Sequence, residues 1–102
     1  MPLLYIIMIN QEIEIGNKKY KYINEKLGKK APMIIVKGEI GYIMCGYLNI
    51  DAANSLGDVA VRVTGVNDIN DVLNSHVNSC TDNASKLGIK PGDKIMDIID
   101  KL

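Results

Sequence analysis

The chain has 102 residues, enough for one domain around one core. Its 47 % hydrophobic and 24 % charged residues suit a globular chain, and twelve basic residues balance twelve acidic ones. Neutrality removes the generic electrostatic case for nucleic acid or an anionic membrane, so neither is expected as a partner.

Residues 1–9, Met-Pro-Leu-Leu-Tyr-Ile-Ile-Met-Ile, are apolar. They lack the basic start and small-residue cleavage site of a signal peptide and are far too short to span a bilayer. A strand over residues 3–9 is expected, buried on both faces or against a partner. Asn10-Gln11 is read as a break. Glu12-Ile13-Glu14-Ile15 then alternates polar and apolar, as a half-buried strand does. Gly16-Asn17 signals a two-residue hairpin turn, with a return strand over residues 18–27. That strand places Tyr20 and Tyr22 on one face and Lys19 and Lys21 on the other, where the lysines would guard an exposed edge.

Pro32 has no N–H to give to a ladder and marks a strand start. Residues 33–37 and 40–45 read as a hairpin pair closed by Lys37-Gly38-Glu39. After Gly46 the period changes: Ile50, Ala53 and Leu56 recur at helical spacing, with Asn49 as N-cap and Gly57 as terminator. Residues 58–64 return to alternation, with Val59, Val61 and Val63 facing one way and Ala60, Arg62 and Thr64 the other. Gly65 ends this strand, and Asn67 or Asp68 caps a second helix with Ile69, Val72 and Leu73 on its buried stripe. Residues 76–79 fit either a short strand or an irregular join. Thr81 or Asp82 opens a third helix that Gly88 closes, Lys90-Pro91-Gly92-Asp93 is a turn, and residues 95–102 form a last amphipathic helix.

These elements give an α+β domain. It has a mixed β-sheet with an antiparallel hairpin and a short β-α-β crossover, and C-terminal helices packed on the sheet. Twelve residues separate Cys45 from Asp58, about the minimum for a connection between parallel strands. Parallel strands would bring the turns after Cys45 and Thr64 to one sheet edge. Ligands of α/β sheets favour that edge, and helix N-termini there offer N–H groups to an anion or carboxylate. Cys45, Gly46, Asn49, Gly65 and Asn67 are therefore the candidate ligand-binding residues. There is no phosphate-loop, dinucleotide or metal-ligand spacing.

Cys45 is also a candidate nucleophile, with His76, the single histidine, as a possible base; the competing reading is a small packed strand residue. Cys80 reads as a helix or core position. Cys45, Cys80 and His76 lack zinc-site spacing, so no metal is expected, and no cofactor is implied. Two cysteines make no disulfide framework, and free thiols point to a reducing, cytoplasmic compartment. Asp58, at the other sheet edge from Cys45, and Arg62, the single arginine amid valines, are interface or structural candidates. Tyr42 and Tyr47 could stack on a ligand, but in a chain without Phe or Trp they read first as core aromatics. Residues 1–50 carry seven lysines and four acids, whereas residues 51–102 carry five basic and eight acidic residues, an asymmetry that contact between subunits could use.

Four segments carry a family resemblance. They are Lys30-Ala31-Pro32, the run Gly41-Tyr42-Ile43-Met44-Cys45-Gly46-Tyr47-Leu48-Asn49, Leu56-Gly57-Asp58, and Gly65-Val66. Leu87-Gly88-Ile89-Lys90-Pro91-Gly92 extends it. The chain resembles the YunC-like family, a domain of unknown function found in bacteria and archaea. The resemblance runs from about residue 12 onward and leaves residues 1–10 as a variable N-terminal strand of a single domain. It implies an α+β fold with a mixed sheet and no established activity, substrate or cofactor. From the residues themselves, the leading expectation is a small homo-oligomeric binding module for an anionic small molecule or a protein partner. A ligand-free interaction protein and a small enzyme using Cys45 are the competing expectations.

Overall fold

A computed structural model describes residues 9–102. Six strands run in chain order across one sheet: β1 (Ile9–Ile15), β2 (Lys18–Lys26), β3 (Pro32–Lys37), β4 (Gly41–Met44), β5 (Val59–Arg62) and β6 (Ser79–Cys80). Every neighbouring pair is antiparallel except β4 and β5, which are parallel. The mixed α+β sheet and its hairpins are as expected. The crossover between β4 and β5 is α1 (Ile50–Ser55).

Local chemistry explains most boundaries. The Asn49 side chain accepts from the N–H groups of Asp51 and Ala52 and starts α1; Gly57, at φ +79°, ends its last turn. Asp68 caps α2 (Ile69–Leu73), and Thr81 caps α3 (Asp82–Ser85). The terminal segment is α4 (Ile95–Ile98) followed by a 3₁₀ turn (Ile99–Lys101), rather than one continuous helix. Its expected stripe survives the change of winding, since Ile95, Ile98, Ile99 and Leu102 are all buried.

Three expectations need correction. The strand continues through Asn10-Gln11, because backbone pairing with Ile23 and Tyr22 outweighs the low strand propensity of two polar side chains. Lys19 and Lys21 do not guard an edge, since β2 lies between β1 and β3. Cys80 is on a strand and not a helix, in β6 opposite Val61, while its half-buried side chain packs against the main core as the other reading expected. The strand expected over residues 3–9 lies, apart from Ile9, outside the described residues.

The strand alternation sorts two cores. Tyr20, Tyr22, Ile34, Val36, Ile43, Val61 and Val63 face one side. There they pack with Val72, Ala84, Ile89, Ile95, Ile98 and Leu102 from the helices and the segments that follow them. Each fully buried Val or Ile contributes roughly 1.5–3 kcal/mol by leaving water. On the opposite face a small cluster of Met44, Ala53 and Ala60 lies under α1, with Tyr42, Leu48 and Ile50 around it. No helix among the described residues is long and apolar enough to cross a membrane.

Candidate functional site

The parallel pairing matches Gly41 with Val59 and Met44 with Arg62, so β4 and β5 end together. The chain leaves β4 through Cys45-Gly46-Tyr47 and leaves β5 toward Gly65-Val66. The loop before β3 brings Ala31-Pro32 to the same place. These segments enclose a cleft of about 220 Å³ lined by Ala31, Pro32, Cys45, Gly46, Tyr47, Gly65 and Val66.

Hydrogen bonds hold the cleft's shape. The Cys45 N–H donates to the Ile34 carbonyl at 3.2 Å, continuing the hairpin one residue past β4. The Cys45 sulfur accepts from the N–H groups of Ile34 at 3.3 Å and Tyr47 at 3.4 Å, and only 2 % of the residue is exposed. The Tyr47 hydroxyl donates to the Ala31 carbonyl at 3.1 Å, which ties two walls together. Tyr47 is 50 % exposed, so it is a rim residue and not the core aromatic expected. From below, Arg62 donates to the Gly46 carbonyl at 3.3 Å and to Asn78 Oδ1 at 3.0 Å. Its charge is solvated by polar groups of two turns, and it pairs with no carboxylate among the described residues. Gly65 turns the chain at φ +71°, a backbone state that a side chain makes strained.

Of the five expected site residues, the fold brings Cys45, Gly46 and Gly65 together at this cleft. Asn49 is engaged in capping α1. The Asn67 N–H donates to Asp71 Oδ2 at 2.9 Å, and its carbonyl accepts from Asn24, so it braces a turn outside the cleft lining. The helix N-termini invoked as anion sites are occupied by their own caps, and Asp51 and Asp71 sit in their first turns. An anion there would meet negative charge. Sequence reasoning missed Ala31, Pro32 and Val66 as lining residues. Their presence in the family-marking segments was the available signal.

His76 is exposed and bridges Lys94, while the Cys45 sulfur bonds only to backbone N–H groups within the described residues. Nor are Cys45, Cys80 and His76 gathered into a metal-ligand cluster among those residues.

The opposite sheet edge holds a second polar arrangement. The half-buried Tyr42 hydroxyl donates to Asp58 Oδ2 at 2.7 Å. Burial, then the hydrogen bond to Asp58, then its negative charge push the Tyr42 pKa up to about 12. The folded protein therefore holds this proton more tightly than the unfolded chain. The stability so contributed is complete below the ordinary tyrosine value near 10 and is lost as pH rises toward 12. Asp58→Asn keeps an acceptor but removes the charge. Spectrophotometric titration should then show Tyr42 ionising at lower pH, still above the ordinary value because burial persists. An unchanged titration would refute the pairing.

Comparison with known proteins agrees with the residues that suggested a family. The family model described as "Domain of unknown function (DUF1805)" matches residues 44–102. The chain is 36 % identical over 84 residues to the uncharacterized protein YunC of Bacillus subtilis (strain 168), covering 78 % of this chain and 82 % of that protein. A crystal structure of TA1206, a protein of unknown function from Thermoplasma acidophilum, superposes with a TM-score of 0.89 at 46 % identity. That match covers 93 % of this chain and 92 % of the other. Neither relative's name carries an activity. With more than half of the chain matched by the family model and most of it shared with YunC, the chain belongs to the YunC-like DUF1805 family.

Proposed function

We propose that the protein is a small binding module whose site is the cleft between Cys45-Gly46-Tyr47 and Gly65-Val66, and that it takes a small carboxylate-bearing ligand. The observation that carries this reading is the convergence of three loops on one concavity at the carboxyl ends of the parallel pair. Such edges collect ligands because loops there diverge and leave a crevice. At about 220 Å³ the cleft is smaller than typical drug-sized sites, so it suits a short acid or the terminal residue of a peptide.

The anionic preference rests on charge and free donors. Lys29 and Lys30 directly precede Ala31. Within the described residues, the N–H groups of the lining residues Gly46, Gly65 and Val66 have no acceptor. Backbone donors in turns are a standard means of holding a carboxylate. The two free cysteines support a reducing, cytoplasmic setting, and the small aromatic-poor core supports a homo-oligomer.

Amide NMR titration with acetate, succinate, inorganic phosphate and C-terminal dipeptides tests the site. Saturable shifts confined to residues 31, 46, 65 and 66 are expected for at least one carboxylate. Gly46→Val should weaken them, since its Cβ would lie in contact with Arg62 Nη2 at 3.7 Å and Thr64 Cγ2 at 4.0 Å, and the added methyl groups would press on the side chains that brace the Gly46 turn. If no compound in the panel gives a saturable shift at millimolar concentration, the proposal fails.

A further inference from the structure

We infer that the half-covered sheet face is the interface for a second copy of this chain. The inference rests on the homo-oligomeric reading above and names its surface. It begins with an alternation that ends on the wrong chemistry for a wet face. Ile23, Ile35 and Met44 stand in register across β2, β3 and β4, on the side opposite the main core. An antiparallel sheet face open to water normally carries polar residues there. Helix α1 covers the β4 and β5 part of this face and leaves Ile23 and Ile35 half-exposed. Between them lies a groove of about 470 Å³, walled on the α1 side by Leu48, Ala52 and Leu56. Leu56, at the end of α1, is 77 % exposed.

The occupant is indicated by shape and charge together. The face is a ridge, α1, beside a hollow, the bare β2 and β3. A two-fold axis along the strands sets each ridge into the other copy's hollow, which is the isologous contact of a closed dimer. Leu56 of each copy then packs on Ile23 and Ile35 of the other.

Charge follows the same division. In the hollow, Lys21 and Lys37 are directly opposed on neighbouring strands. Both are exposed, and neither forms an ion pair among the described residues. Like charges opposed across strands are unfavourable unless something answers them. The ridge and its following turn, residues 49–58, carry Asp51 and Asp58 and no basic residue. The basic N-terminal and acidic C-terminal halves of the sequence thus meet across the axis.

Sedimentation velocity of the full chain tests this, with circular dichroism to verify folding. The wild type is expected to sediment as a dimer. Leu56→Glu changes an exposed side chain, so it should keep the wild-type circular dichroism spectrum yet raise the dimer dissociation constant by about tenfold or more, equivalent to at least about 1.4 kcal/mol. Ile23→Glu and the double change Lys21→Glu with Lys37→Glu should also weaken association. A monomeric wild type overturns both this interface and the oligomer reading. In that case a drop in melting temperature on deleting residues 1–8 would give the groove to that apolar segment instead. A dimer that Leu56→Glu and Ile23→Glu both leave intact overturns the interface alone. The ligand cleft, being at the sheet edge, is independent of either result.

Discussion

Gly41→Ala is expected to cost about 3 kcal/mol or more, above the usual 1–3 kcal/mol for an overpacked core, and to leave the chain partly unfolded at ambient temperature. Gly41 opens β4 where it pairs with Val59. A Cβ there would lie 2.4 Å from the Val59 carbonyl oxygen and 2.7 Å from its Cγ1. The nearest atom is backbone in the adjacent strand, so no side-chain rotation relieves the clash. The strands must separate, and the parallel pairing of β4 with β5 goes with them. Gly16→Ala is the control. Gly16 sits at φ +64° in the first hairpin with nothing within 4 Å of a new Cβ. It should lose only the left-handed backbone penalty of roughly 1–2 kcal/mol. Urea unfolding followed by far-ultraviolet circular dichroism measures both. Equal losses at the two positions would disprove the close-packing argument at Gly41.

Thr81→Val should cost about 3 kcal/mol, although it preserves side-chain volume. Thr81 is 1 % exposed. Its hydroxyl donates to the Asp58 carbonyl at 2.7 Å and accepts from the N–H groups of Ala60 at 3.1 Å and Ala84 at 3.3 Å. One oxygen thus caps α3 and satisfies the start of β5, the strand that also defines the cleft. Valine removes a cap worth about 1 kcal/mol and leaves buried polar groups unpaired at about 1–3 kcal/mol each. Thr81→Ser, which keeps the oxygen, should recover most of the loss. If valine and serine unfold at the same urea concentration, the hydroxyl is not what matters at this position.

The two largest effects differ in how legible they were. Thr81 was readable as a cap, because a hydroxyl residue before an apolar-periodic run satisfies local N–H groups. Its second partnership, with Asp58 and Ala60, joins residues far apart in sequence and belongs to the packed state. Gly41 falls inside the strand expected over residues 40–45, with no local signal of a close approach. Only the parallel partner chosen for β4 reveals why a Cβ cannot fit there.

The candidate site divides the same way. Cys45, Gly46 and Gly65 could be placed at one sheet edge from the length of the crossover alone. Asn49 and Asn67 were drawn in because helix caps and helix-terminal ligand sites share a residue chemistry. In the folded chain each is engaged by its own neighbourhood. Ala31, Pro32 and Val66 escaped notice because a small apolar wall has no local signature.

The sequence by itself determined the alternation of β2 to β5, the capped turn of helix between β4 and β5, the apolar stripe of the last segment and the family. Those features depend on period, capping chemistry and motif, all of which act over a few residues. Tertiary structure alone decided that β2 is internal, that Cys80 is on a strand, that Tyr47 is a rim residue and that Arg62 bonds to two turns. It also decided that Ile23 and Ile35 lie beside α1 and not beneath it. These outcomes depend on which strands become neighbours. Backbone ladders and shared burial between distant segments settle that, and no single segment encodes it.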